Sequence, residues 1–321
     1  MNLIKNKNFL ALAPFFLLLA AFGTYVGIAL ATNQTQYLTF DNLIGLLGRS
    51  IALGITAIGQ TFVILIASID LSVANLISVA AVLASYIMSG DTTMMVPAVI
   101  IVILVGVFVG AVNGLVVTQL EVNPLIATLG MALLLQGVLS ALFTNFAGEV
   151  PKEFQVLAYG EIGGVSVSLL FLIALTALAW VFLKFTKVGS NIYSVGGNAD
   201  AAKLAGLRTT RTIVLAHILC SVCATIAGLY LASRLGSGAP WIGRDGVYDL
   251  ESIAVVVIGG TALSGGRGGV WGTLMGVMIF SLLDSIFNVA GVDAFAKQIL
   301  RGVIIVAAVA FYAARSRRIE A

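Results

Sequence analysis

Ten apolar runs dominate this chain, at 9–31, 43–66, 71–88, 94–118, 124–146, 166–185, 212–232, 250–263, 270–289 and 295–313. A bilayer's hydrocarbon core is about 30 Å thick, so a spanning helix needs roughly 20 mostly apolar residues. Lipid offers peptide groups no hydrogen-bond partner, so such runs must be helices and not open sheet. The expected fold is an all-α polytopic membrane protein of about ten transmembrane helices. It forms one membrane domain over 1–321, interrupted by a polar segment at about 186–211. Composition leaves no room for a soluble alternative: 60% of residues are hydrophobic and 10% charged, with a mean hydropathy of +1.09. The net charge of +3 is spread over loops without clustered aromatics, so no nucleic-acid site is expected.

An even number of crossings puts both termini on one side, and Lys and Arg in short loops decide which. One set holds Lys5, Lys7, Lys184, Lys187, Lys203, Arg208, Arg211, Arg267, Arg315, Arg317 and Arg318; the other holds Lys152, Arg234 and Arg244. Eleven against three places both termini and the polar segment in the cytoplasm. The basic start and the apolar run from Phe9 imitate a secretory signal, but nine further runs follow and a retained first helix is expected.

Many-span proteins often arise by duplication. Here Ala67-Ser-Ile-Asp-Leu-Ser-Val-Ala74 lies over Gly265-Gly-Arg-Gly-Gly-Val-Trp-Gly272, which would make spans two to five and seven to ten equivalent. The run 250–263 has 14 residues, about 21 Å of helix, too short to cross. A short or re-entrant helix ending in a cytoplasmic glycine turn is expected, with Gly272 and Gly276 permitting close helix contact. Gly260-Thr-Ala-Leu-Ser-Gly-Gly-Arg267 imitates a phosphate loop in spacing only, since it lacks the lysine and the metal-binding hydroxyl.

Ionisable and polar residues within such runs are costly and mark function by default. Asp70, in Ile69-Asp70-Leu71-Ser72, either caps the helix beginning at Leu71 or contacts a transported solute. Asp284 and Asn288 form an i, i+4 polar face with Ser281 and Ser285 nearby, looking into a bundle or a pore. Ser72, Asn75, Asn113 and Gln136 complete the candidate path. Lys297 and Arg301 are expected to snorkel or to pair with Asp293. His217 is the only histidine and reads as a hydrogen-bonded packing residue. Cys220 and Cys223 share a helix face as small hydrophobes. Nothing assembles a nucleophile with a base, paired carboxylates or a metal set, so no active site, metal or cofactor is expected.

The polar segment contains one small, well-marked element. Asn198 is a good N-cap, Asp200 suits the positive first turn, and Gly206 can take the left-handed conformation that ends a helix. A two-turn helix is expected over 199–205, with Ala201, Leu204 and Ala205 on one face and Asp200 beside Lys203. A helix this short is unstable alone in water. It either docks into a shallow groove of a partner or is an ordinary connecting loop.

Four ordered segments carry a resemblance. They are Thr61-Phe-Val-Ile-Leu-Ile-Ala-Ser-Ile-Asp-Leu-Ser-Val, Pro124-Leu-Ile-Ala-Thr-Leu-Gly, Tyr193-Ser-Val-Gly-Gly-Asn-Ala-Asp-Ala-Ala-Lys-Leu-Ala-Gly206, and Tyr248-Asp-Leu-Glu-Ser-Ile-Ala-Val-Val-Val-Ile-Gly-Gly-Thr-Ala-Leu-Ser-Gly-Gly-Arg-Gly. In order and spacing the chain resembles the ribose-type ABC importer permeases from about Thr61 onward. The resemblance implies a dimeric permease carrying a monosaccharide across the bacterial inner membrane. A periplasmic sugar-binding protein would deliver the sugar, and a cytoplasmic ABC ATPase would dock on short coupling helices. It implies that Gly196, Gly197, Asn198, Ala201, Ala202, Leu204 and Gly206 belong to that coupling element, together with Asp200 and Ala205 of the same helix.

The chain departs from the pattern at Ala67-Ser68 and Ala74-Asn75, where the family has glycines and Gly-Ser. It also departs at Tyr248-Asp249-Leu250-Glu251, where the two acidic side chains exchange lengths. These changes bear on which solute is carried; autoinducer-2, a nucleoside or a branched-chain amino acid are alternatives within the class. Outside it, the alternative is a proton-coupled secondary transporter using Asp70 or Asp284.

Overall fold

A computed structural model describes residues 7–320, with side chains described from 13 to 310 except at positions 41, 308 and 309. Lys5 and the side chains of Lys7, Arg315, Arg317 and Arg318, all counted in the charge asymmetry, lie outside the described residues. The helices are α1 (Lys7–Ala31), α2 (Phe40–Arg49), α3 (Ile51–Leu65), α4 (Val73–Met88), α5 (Met95–Gln119), α6 (Pro124–Leu142), α7 (Val156–Tyr159) and α8 (Val167–Phe185). They continue as α9 (Lys187–Gly197), α10 (Ala199–Leu204), α11 (Thr209–Leu235), α12 (Ile242–Asp245), α13 (Tyr248–Ile258), α14 (Val270–Val289) and α15 (Ala294–Glu320). The fold is all-α apart from one hairpin absent from the sequence reading. Its strands β1 (Glu161–Ile162) and β2 (Val165–Ser166) pair antiparallel around Gly163 and Gly164, both at positive φ.

Every apolar run is helical, yet among the described residues six helices are long and apolar enough to cross a membrane, or seven if α2 and α3 form one span bent by 45°. Two of the runs fall short for local reasons. Helix α4 has 16 residues and stops at Ser89, which is left-handed. Helix α13 has 11 and stops at Gly259, well short of the expected end at residue 263.

Helix α11 is the centre of the molecule and packs along α3, α4 and α5. Its closest neighbour is α5, and the reason is Gly106, Gly110 and Gly114, spaced four apart on one face of α5. A Cβ at Gly110 would sit 2.5 Å from Ile218 Cα, and one at Gly106 would sit 2.8 Å from Thr225. Cys220 and Cys223 are free and buried, packed where Gly59 of α3 lets the backbones approach.

Two breaks, 66–72 between α3 and α4 and 259–269 between α13 and α14, open with the same cap. Ala67 N–H donates to Ile64 O and Ser68 N–H to Val63 O, while Gly260 N–H donates to Val257 O and Thr261 N–H to Val256 O. The residue after each cap is left-handed, Ala67 at φ 59° and Gly260 at φ 89°. Ala67 and Gly260 thus occupy the same place in their caps. The two breaks also meet: Gly266 N–H donates to Leu65 O at 2.9 Å, and the Thr61 and Thr273 hydroxyls lie 2.7 Å apart.

Candidate coupling surface and transport path

The polar segment folds into two helices, one more than its sequence suggested. Thr186 caps α9 by accepting from Gly189 N–H, and α9 closes on the breaks through its glycines. Gly196 is buried, and a Cβ there would collide with Leu65 O; Gly265 in turn lies against Gly196 O and Ala67. Tyr193 of α9 donates its hydroxyl to Gly268 O at 2.9 Å, and burial pushes its phenol pKa up. One end of the molecule thus gathers α9, both breaks and the start of α14.

Helix α10 projects from this platform. Asn198 accepts from Ala201 N–H at 2.9 Å, Gly206 at φ 83° ends the helix, and the N–H groups of Gly206 and Leu207 return to Lys203 O and Ala202 O. The helix covers six residues, Ala199–Leu204, with Ala205 as its C-cap, one fewer than expected. Asp200 and Lys203 form no ion pair among the described residues. Ala202 is the buried residue, whereas Asp200, Ala201 and Ala205 are exposed and Leu204 is 90% exposed. Gly197 and Asn198 are exposed at its base. A groove of about 670 Å³ beside it is lined by Lys203, Arg208 and Arg211 among others.

The candidate path residues separate into two groups. Asp70, Ser72 and Asn113 converge, and each is at most 1% exposed. Asp70 Oδ1 accepts from Ser72 N–H at 2.9 Å and its hydroxyl at 2.5 Å; Oδ2 lies 3.3 Å from both Asn113 Nδ2 and His217 Nδ1. His217 Nε2 lies 3.1 Å from Ser68 Oγ. Gln60, in the amide orientation that pairs donors with acceptors, bridges the Asp70 backbone at 3.2 and 3.3 Å. The carboxylate does turn the chain into α4, but that helix starts at Val73, two residues later than expected. His217 is a buried, hydrogen-bonded packing residue as expected, and it ties α11 to the first break. Asn75 instead donates to Ala132 O of α6 at 3.0 Å, and Gln136 is half-buried on α6 apart from the network.

Asp284 and Asn288 lie toward the other end of α14, about 21 and 27 Å of helix from its start. Arg301 of α15 reaches Asp284 Oδ1 at 2.5 Å and Glu251 Oε1 of α13 at 3.1 Å. Lys297 donates to Asn288 Oδ1. Asp293 pairs with neither cation, against expectation; it caps α15 by accepting from Phe295 and Ala296 N–H.

A polytopic helical bundle with a short capped helix projecting between α9 and α11 is the setting in which known proteins become informative. The family model described as branched-chain amino acid transport system / permease component matches residues 42–309. The chain belongs to this permease family. Among curated relatives, it is 34% identical to the ribose import permease RbsC of Escherichia coli K12 over 285 residues, 87% of this chain and 88% of that protein. It is 35% identical to the ribose import permease RbsC of Bacillus subtilis 168, covering 84% and 83% of the two chains. It is 32% identical to the galactose/methyl galactoside import permease MglC of Salmonella typhimurium LT2, covering 87% and 88%. No solved structure matches.

The permease is a transport subunit and not an enzyme, as its relatives are. Sequence reasoning missed Gln60, Glu251 and the partners of His217 and Arg301. Nothing local could have found them, because the partners lie 149 residues away for Ser68 and 147 for Asp70 along the chain. One missed signal was present: Gly106, Gly110 and Gly114 announce the α5–α11 contact that brings Asn113 and His217 together.

Proposed function

We propose that the permease is the membrane-spanning subunit of an ATP-driven importer that carries a monosaccharide across the bacterial inner membrane by alternating access. Its relatives' names, ribose import permease and galactose/methyl galactoside import permease, support the sugar. The partners of this reading are a cytoplasmic ABC ATPase, a periplasmic sugar-binding protein and a second permease subunit. Ten crossings with both termini cytoplasmic belong to this reading, and Lys184, Lys187, Lys203, Arg208, Arg211 and Arg267, which lie in or beside the α9–α10 segment and the break after α13, support a cytoplasmic face there.

The observation that carries the coupling role is Leu204, 90% exposed on a helix held by caps at both ends. A large apolar side chain displayed in water on a basic surface calls for a groove to fill. The buried side of α10, through Ala202, rests on the permease itself, so the free face is the one with Leu204. Coupling then runs from ATPase to α10, to α9 and α11, and so to both breaks.

Leu204→Asp is expected to abolish ATPase association and ATP-dependent uptake in vesicles while membrane insertion stays normal. Intact uptake in that variant removes the coupling role. Uptake that follows a pH gradient and ignores ATP replaces the importer with a proton-coupled carrier.

A further inference from the structure

Two of the helices long and apolar enough to cross a membrane end side by side, one span closing at Gln119 and the other beginning at Thr209. The groove of about 670 Å³ beside α10 lies at that boundary, between the last turn of α5 and the first turn of α11. Its rim carries Lys203, Arg208 and Arg211, and no carboxylate lines it. All three cations are exposed, and none forms an ion pair among the described residues. Below the rim the wall turns apolar, with Leu115 of α5 facing Leu215 and Ile218 of α11. Ile218 comes seven residues after Arg211, about 10 Å of helix deeper into the span. The floor is closed, because a Cβ on Gly114 would sit 2.5 Å from Val214 Cα. The groove is therefore a pocket on the bundle's flank and not a way into its interior.

We infer that this groove binds one anionic phospholipid of the surrounding bilayer. Such a lipid has a charged head and an apolar tail, and the groove offers a surface for each. The head's phosphate sits at the rim, where the two guanidinium groups present paired N–H donors that match phosphate oxygens. Basic pockets between transmembrane helices collect headgroups of this kind. An acyl chain then follows Leu115, Leu215 and Ile218 down the flank. That second surface decides the occupant: a soluble anion would use the rim alone, and an acidic protein surface could not follow the apolar wall into the membrane. Leu204, which carries the coupling role, does not line the groove, so the two surfaces are separate. Lys203 belongs to α10, whereas Arg208 and Arg211 lead into α11. A seated headgroup thus ties the coupling helix to the span that follows it, whichever solute the permease carries.

The test is native mass spectrometry of the full-length permease in detergent, titrated with dioleoylphosphatidylglycerol and, separately, with dioleoylphosphatidylcholine. A saturable phosphatidylglycerol adduct is expected, with far weaker binding of the zwitterionic lipid; equal binding of the two overturns the site. Arg208→Gln combined with Arg211→Gln should weaken phosphatidylglycerol about thirtyfold, each basic side chain at an anionic lipid being worth about fivefold. Lys152→Gln combined with Arg244→Gln removes the same charge near the far end of α11, where Val150 N–H donates to Gly236 O, and should leave the affinity unchanged. Equal losses in the two pairs reduce the effect to net charge and overturn the site. Displacement of the lipid by glycerol phosphate, which has the phosphate without the acyl chains, makes the occupant a soluble anion and overturns the lipid. Unchanged lipid affinity in the Arg208, Arg211 variant beside lost ATP-driven uptake assigns the rim to an acidic protein surface and overturns it too. A last measurement needs no variant: phosphatidylglycerol with a diazirine in its acyl chain should crosslink to the segments bearing Leu115 and Leu215, and crosslinks confined to other segments overturn the inference.

Discussion

The two breaks share a cap and differ in what fills them. At 66–72 the backbone turns around side chains: Ser68, Asp70 and Ser72 meet Gln60, Asn113 and His217 in a closed polar network. At 259–269 it turns around itself, with Gly260, Gly265, Gly266 and Gly268 all at positive φ and Thr261 bonding Gly269 N–H at 3.2 Å. The same backbone problem, leaving a helix inside an apolar protein without stranding peptide groups, has thus been solved twice. The first solution depends on the chemistry of a few side chains, the second on the absence of side chains. They should fail differently.

The largest effect should come from the side-chain solution. Asp70→Ala leaves Ser72, Asn113 and His217 without their shared acceptor, and losing one partner of such a buried group costs about 3–5 kcal/mol. Thermal unfolding in detergent reads this as a large fall in midpoint, and a change no greater than that of a surface substitution sinks the idea. Next comes the backbone solution. Gly265→Ala places a Cβ 2.6 Å from Gly196 O and 2.8 Å from Ala67 N at a φ of 80°, a clash plus strain of roughly 1–3 kcal/mol. Because Gly196 leads to α10, ATP-dependent uptake should fall along with the melting midpoint.

The smallest effects isolate the shared cap. Ala67→Gly relieves a left-handed alanine and should stabilise by about 1 kcal/mol before the entropy of the freer unfolded chain is subtracted. Gly260→Ala meets no atom nearer than Pro14 Cγ at 3.6 Å, so only φ strain of about 1 kcal/mol opposes it. Opposite signs in the two melting shifts are expected; equal signs mean that the caps are not equivalent.

These contrasts also explain what could be read from the chain and what could not. Helix α10 was legible because Asn198 and Gly206 act within their own turn. Helix α9 was not, since Gly189, Gly196 and Gly197 lower helix propensity, and only contact with Leu183, Leu65 and Gly266 shows why Gly189 and Gly196 are there. Asp70 announced itself as a polar residue between apolar runs, but whether it faced a path or a network depended on α5 and α11. The short length of the run at 250–263 predicted the second break, whereas the register of the two breaks needed their hydrogen bonds.

Gly272 and Gly276 of α14 lie directly on Gly259, the cap of α13, and on Val255 within it, with room for no Cβ between them. A contact made of peptide groups has no rotamers to freeze or release, so the two helices can separate and return without a search among side-chain conformations. Its geometry is fixed by bond lengths and van der Waals radii, much as a machined edge fixes the position of a part pressed against it. Beside the side-chain-filled break, this seam is the part of the bundle whose spacing is set by backbone alone.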